Sequence, residues 1–281
     1  MINTQYWQEL EGRVTSWIRQ AGARLRDTLS DPVDIRTKTA HNDLVTNRDK
    51  ETEKFLTGKI RANYPGQKII SEEGYGDSPA DLRGVVWFVD PIDGTLNYVM
   101  QKRFFAISVA VYEDGKGRAA FVYDVMADEL FHCIHGSGVY QNNRRLPELQ
   151  NVAVKDALID LSMTWIKPNR LIDENVLTDI VRTCSGTRAY GAASIELAYV
   201  AAGLIDAYFT MRLSPWDYAA GLMLIKEVGG KVSRVDGAPV DLKSRTSVLA
   251  AGPALHDSIA KHIQQQIDSG KYVKEPPQLS R

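Results

Sequence analysis

Asp90-Pro91-Ile92-Asp93-Gly94-Thr95 carries two carboxylates three positions apart across a proline. The proline ends ladder hydrogen bonding and presets φ for the second position of a β-turn, which makes Asp90 and Asp93 the first and fourth turn residues, with Cα atoms within roughly 7 Å. Carboxylates at that separation repel each other unless a cation lies between them, and the Ile92 carbonyl offers a further hard oxygen. Gly94 and Thr95 then open a short helix through Tyr98, whose unpaired N–H groups would point toward whatever the carboxylates hold. An isolated D-P-x-D-G serves equally well as an Asx-type turn with solvated acids. Two other acids bear on the choice: Glu72, in Ser71-Glu72-Glu73-Gly74 after a short strand at 68–70, and Asp217, which opens a helix whose Ala219, Ala220 and Gly221 allow close packing. Taken alone, Asp217 reads more simply as an N-cap, and Asp49 in Thr46-x-x-Asp49 as half of a capping box.

Spacing excludes several competing chemistries. Aspartyl-phosphate catalysis of the haloacid dehalogenase type needs Asp-x-Asp, which a strand displays on one face; here the spacing is Asp-x-x-Asp, across a turn. Gly136-Ser137-Gly138 is followed by Gln141 where a dinucleotide fingerprint needs glycine, and no G-x-x-x-x-G-K-[ST] loop occurs. His132 and His135 lie three apart in a strand-like run and so face opposite sides, which is unsuited to shared zinc ligation. A net charge of −1 and a pI near 6.5 give no electrostatic case for a nucleic-acid partner. Cys133 and Cys184 are too few for a disulfide framework and read as reduced core residues. Neither a basic-then-apolar leader nor an apolar run of about eighteen residues occurs, so the expectation is a cytoplasmic protein with no membrane partner.

The elements that must position these residues follow from periodicity. Trp7, Leu10, Val14, Trp17, Ile18, Ala21 and Leu25 recur at helical spacing up to the stop at Asp31-Pro32, and a second helix runs from near Thr46 to Tyr64-Pro65-Gly66. The apolar run 84–89 reads as a strand buried on both faces that delivers Asp90 at its end. Runs at 104–112, 118–125 and 129–134 form an antiparallel meander. Beyond Pro147 strands and helices alternate: strands at 157–161, 205–210, 231–235 and 248–251, and helices at 173–183, 192–202, 217–228 and 255–267. The fold class is α/β: an α+β half over residues 1–150 carrying the Asp90–Asp93 loop, and an α/β half over 151–281 carrying Asp217. The tail from Ser269, with Pro276-Pro277, is expected to be loosely ordered.

Two segments resemble the signatures of the inositol monophosphatase family: Trp87-Phe-Val-Asp90-Pro-Ile-Asp93-Gly-Thr95-Leu-Asn-Tyr98, and Trp216-Asp217-Tyr-Ala-Ala-Gly221 continuing to Gly229-Gly230, with Glu72 upstream. The resemblance covers nearly the whole chain. It implies a layered αβαβα sandwich of the inositol monophosphatase / fructose-1,6-bisphosphatase type, a homodimer, and two to three Mg²⁺ ions. By the same resemblance, Glu72, Asp90 and the Ile92 carbonyl hold one ion, Asp90, Asp93 and Asp217 a second, and Glu72 with waters a third. Thr95, linked to Asp49, orients the attacking water, and Lys38 lies near the metal-bound solvent. The amides of Gly94 and Thr95 take the phosphate, while Arg188, Gly191, Ala192 and Ala193, together with Asp93 and Asp217, contact the substrate. The implied reaction is hydrolysis of inositol monophosphate; other small esters (NADP, fructose 1,6-bisphosphate, an adenosine bisphosphate) and a protein-binding regulatory role are the alternatives. Two departures bear on substrate: Thr210 stands where many relatives have a glutamate that contacts inositol, and Met100 replaces a polar residue at the end of the first signature. Arg212, close by, is a candidate partner for a second phosphate, or an ordinary salt-bridge residue.

Overall fold

A computed structural model describes residues 4–37 and 44–278; Lys38 falls outside the described residues. Helices α1 (Thr4–Asp27) and α2 (Asn47–Asn63) flank a small antiparallel ladder of β1 (Ile35–Thr37) and β2 (Leu44–Thr46). Seven strands follow in chain order across one sheet: β3 (Lys68–Ser71), β4 (Val85–Asp93), β5 (Ala106–Glu113), β6 (Lys116–Asp124), β7 (Glu129–Ile134), β8 (Val139–Gln141) and β9 (Arg144–Arg145). Helix α3 (Thr95–Met100) links β4 to β5. Strands β3 and β4 are parallel, and all later pairs in this sheet are antiparallel.

The rest of the chain supplies β10 (Leu158–Leu161), α4 (Thr178–Thr183), β11 (Gly186–Arg188), α5 (Ala193–Ala201), β12 (Ala207–Leu213), α6 (Pro215–Glu227), β13 (Lys231–Ser233), β14 (Thr246–Ala251) and α7 (Pro253–Asp268). Its strands form a mixed five-stranded sheet in the order β11-β10-β12-β14-β13.

Strand alternation explains how these pieces stack. On β4, Trp87 and Val89 face α1 and α2, joining Leu10, Trp17, Leu56 and Ile60 in one core. Their neighbours Val86 and Phe88 face the other way, into a core built on α5 and α6. That middle core also takes Tyr208, Val248 and Ala250 from the second sheet, whose opposite face (Phe209, Leu249, Ala251) packs on Leu255, Ile259 and Ile263 of α7 and Ile180 of α4. The layers therefore run helix, sheet, helix, sheet, helix, in agreement with the expected αβαβα sandwich. Helices α5 and α6 are buried almost all round because both sheets cover them.

Three local expectations are corrected. Helix α4 is shorter than 173–183, because Asp173 Oδ1 accepts from the backbone N of Asn175 at 2.9 Å and holds the chain in a turn. Strand β11, unforeseen, lies at the sheet edge. The tail is docked as far as Gln278: Glu275 accepts from the N of Ser247 and Oγ1 of Thr246, both at 3.0 Å, and Val273 bridges to Ile172.

Candidate active site

Asp90 and Asp93 sit on a bulged strand, not on the expected β-turn. Asp90 lies opposite Ser108 and Asp93 opposite Ala106, so three steps on β4 match two on β5. One extra residue restores the facing that a three-residue spacing would otherwise reverse. Both carboxylates therefore project to the α6 side, while Ile92 is fully buried with the α1/α2 core. Proline at position 91 suits the bulge because its missing N–H leaves no ladder partner wanting. The Ile92 amide instead donates to Asp90 Oδ1 at 3.1 Å.

Gly94 follows at φ +83°, and a Cβ there would come within 2.9 Å of Ala192 Cβ and 3.0 Å of the Phe104 carbonyl. Only glycine meets both the left-handed backbone and the close approach. The loop it touches is tied down by Asn97, whose Nδ2 donates to the carbonyls of Phe104 (2.8 Å) and Tyr190 (2.7 Å).

Glu72, Asp90, Ile92, Asp93, Gly94, Thr95, Gly191, Ala193 and Asp217 line one cavity of about 480 Å³. Asp90 is 1% exposed, and burial, followed by the charges of Glu72, Asp93 and Asp217, pushes its carboxyl well above the usual range. Asp217 is raised by burial and then by Glu72 and Asp93. It is not an N-cap: it occupies the third position of α6, where its Oδ2 accepts from Ser214 N at 2.7 Å. Asp93 is also raised by burial, against the pull of Ser194, whose N and Oγ both donate to its Oδ2 at 2.6 Å.

Asp49, fully buried, stands behind the cavity wall. Its Oδ2 accepts from Thr46 N (2.8 Å) and Thr46 Oγ1 (2.6 Å), the capping box, while its Oδ1 lies 3.0 Å from Thr95 Oγ1. Capping and contact with Thr95 are thus performed by different oxygens of one carboxyl. Thr95 Oγ1 is also 3.0 Å from the Ile92 carbonyl. Arg188 is not brought into the cavity: it ends edge strand β11, exposed, with its guanidinium turned back on the Thr187 carbonyl at 2.8 Å. Ala192 is core, packed beneath Gly94 rather than lining the cavity. Thr210, Arg212 and Arg245 do line it.

Glu53 was missed in the sequence. It is fully buried on α2 and clamps the Glu72 loop on both sides, accepting from Ser71 Oγ (2.6 Å), Glu73 N (2.6 Å) and Tyr75 N (2.8 Å). Its signal was positional: 49, 52, 53, 56, 57 and 60 form one buried helix face, and an acid on such a face needs partners.

Hard cations suit this donor set. Buried carboxylates whose charges raise one another are destabilising by themselves, and a divalent ion reverses the sign of that interaction. Among the described residues no three acidic, histidine or cysteine side chains close into a ready-made metal cage. Mg²⁺ tolerates this, because it usually keeps several waters and needs no all-protein cage.

A layered αβαβα sandwich with an acidic cavity beside a bulged strand defines the class: a fold whose site gathers buried carboxylates from distant segments. The family model described as the inositol monophosphatase family matches residues 7–268, and the chain belongs to that family. It is 48% identical over 253 residues to the inositol-1-monophosphatase of Bacillus subtilis, covering 90% of this chain and 96% of that protein. Among solved structures it resembles inositol monophosphate-bound SaIMPase-II (36% identity, TM-score 0.83) and 2'AMP-bound SaIMPase-II (38%, 0.85), each match covering 93% of this chain and 96% of the other.

Proposed function

We propose that this protein hydrolyses small phosphate monoesters with Mg²⁺, inositol monophosphate first among them, releasing inositol and phosphate. The observation that carries the reading is the bulge that turns Asp90 and Asp93 to one face, where Glu72 and Asp217 share their cavity. Glu72, Asp90, Asp93, Asp217 and the Ile92 carbonyl would hold the ions. When bound, they supply charge neutralisation for the phosphoryl oxygens, a more acidic attacking water and stabilisation of the departing alkoxide. Thr95 Oγ1 would accept a proton from that water as its own passes to Asp49 Oδ1, 3.0 Å away. Backbone N–H groups of Gly94 and Thr95 would bind the phosphate. Gly191 and Ala193 would border the alcohol half, and Arg188 would reach it only by leaving the Thr187 carbonyl.

The relative with 2'AMP bound, at 38% identity, adds nucleoside monophosphates to the substrate range to be tested. The same reading takes two to three Mg²⁺ ions per site, a cytoplasmic homodimer, and 1–150 and 151–281 as the two halves of the chain. Pure protein is assayed for phosphate release with Mg²⁺ on inositol 1-phosphate, 2'-AMP, NADP, fructose 1,6-bisphosphate and an adenosine bisphosphate. Inositol 1-phosphate is expected to lead. Inactivity on every ester refutes the phosphatase reading and leaves a protein-binding role.

A further inference from the structure

A second pair of acids borders the same cavity and takes no part in the chemistry above. Asp160, on β10, is 1% exposed, and Glu196, on the first turn of α5, is 5% exposed; both line the cavity. Asp160 lies on the inner face of its sheet, since its neighbours Ile159 and Leu161 pack in the outer core. Its register partner on β12 is Tyr208, which faces the same way.

The two acids differ in how they are satisfied. Glu196 Oε1 accepts from Tyr190 N (2.8 Å) and Gly191 N (2.6 Å), so it secures the loop carrying Gly191. No protein donor reaches buried Oδ2 of Asp160. Its register partner on the other side, Arg188, directs its guanidinium to Thr187 and leaves Asp160 alone. The Glu196 carboxyl and the Tyr190 backbone N–H both bear on the Asp160 carboxyl, and burial raises both acids. These partners satisfy at most one oxygen of Asp160, since Oδ2 has none. Oδ2 keeps its lone pairs beside the cavity, desolvated and without a donor, and a buried acceptor in that state costs free energy until a ligand supplies one.

Position identifies the ligand group. Ser194 at the start of α5 donates to Asp93, and Glu196 lies on the same first turn, so Glu196 and Asp160 extend the acidic wall beyond Asp93. With the phosphate among Asp90, Asp93 and Asp217, the alcohol it esterifies would occupy the rest of the cavity, which Asp160, Trp165 and Tyr190 also line. We propose that Asp160 is a specificity-determining acceptor that binds a hydroxyl donor on the alcohol half of the substrate, with Glu196 as the positioning residue that holds it. This rests on the phosphatase reading above and adds to it a residue that selects hydroxylated leaving groups.

The test compares inositol 1-phosphate with p-nitrophenyl phosphate, whose leaving group carries no other hydroxyl. For Asp160→Ala the ratio of kcat/KM values, inositol ester over plain ester, is expected to fall about ten- to a hundred-fold, mostly through KM, as loss of a hydrogen bond to a charged acceptor implies. Asp160→Asn, which retains an acceptor oxygen and a donor for Glu196, is expected to recover most of the ratio. Should the alanine variant not fold, wild type and Asp160→Ser are compared on inositol 1-phosphate and deoxy-inositol phosphates; one deoxygenation should penalise wild type and not the serine variant. An unchanged ratio, or equal loss on both esters, overturns the proposal and makes Asp160 a structural partner of Glu196. Wild-type inactivity on both esters is a different failure, that of the phosphatase reading itself.

Discussion

At the residue scale the site is a set of acids at odds with their surroundings. Asp93→Asn removes one charge yet keeps an oxygen to accept from Ser194, so the fold should persist while phosphate release in Mg²⁺ falls by about 10²-fold or more, as loss of a group that positions transition-state charge implies. Activity within two-fold of wild type would show that Asp93 is not a ligand. Asp49 permits a test by pH. Burial lifts its carboxyl to about 7 against the opposing Thr46 hydrogen bonds, so between about pH 4 and 7 the folded chain holds a proton that the unfolded chain has released, and above 7 Asp49 is free to accept one. Stability from this group is therefore present at low pH and lost as pH rises from about 4 to about 7, with a ceiling of about 4 kcal/mol. In chelator, Asp49→Asn should flatten that slope in urea titrations taken at several pH values; an unchanged slope would place the titration elsewhere.

At the element scale, α2 joins two parts of the site. Asp49 touches Thr95, and Glu53, one turn later, grips both sides of Glu72. Glu53→Gln offers an amide where the Glu73 and Tyr75 N–H groups need acceptors, and at least one of these buried donors loses its partner, at about 1–3 kcal/mol. The Mg²⁺ concentration for half-maximal activity should rise with it, read from activity against Mg²⁺ alongside a thermal melt; an unaltered Mg²⁺ curve would detach the Glu72 loop from metal binding. Much at this scale was legible in the sequence. The 3.6-residue period of α1 and the apolar run of β4 are local signals, and tertiary packing only reinforced them. The bulge was not legible, because proline after an acid fits a turn as well as a kinked strand, and only pairing with β5 distinguishes the two. Glu53 was obscured for a similar reason: its clamp joins residues about twenty apart, and an acid in a charged helix looks solvated until its face is known to be buried.

For the whole molecule, the two sheets share α5 and α6, so the cavity is walled by segments distant in sequence: Glu72 from the loop after β3, Asp217 from α6, and Asp160 from the second sheet. Periodicity identified the helices and strands, but their layering, and which loops meet between the layers, was given by the family resemblance alone. No helix among the described residues is long and apolar enough to cross a membrane. Binding that relieves repulsion among acids from separate layers should stabilise the whole sandwich. Mg²⁺ at about a hundred times its Kd should add about 2.7 kcal/mol, seen as a melting temperature higher than in chelator. A melting temperature indifferent to Mg²⁺ would count against a cation joining these layers.

The bulge in β4 also obeys an arithmetic of odd and even. Facing along a strand is a parity: each residue flips it, and the single unmatched residue adds one flip, so Asp90 and Asp93 agree despite an odd separation. Removing Ile92 would leave Asp-Pro-Asp, an even separation in a regular ladder, with both acids still on the same side. What would vanish is the surplus peptide itself, the carbonyl offered to a cation and the buried isoleucine that anchors it. A one-residue deletion thus separates two contributions that point substitutions leave entangled: the carboxylate pair, which parity preserves, and the spare backbone oxygen, which exists only because the count is off by one.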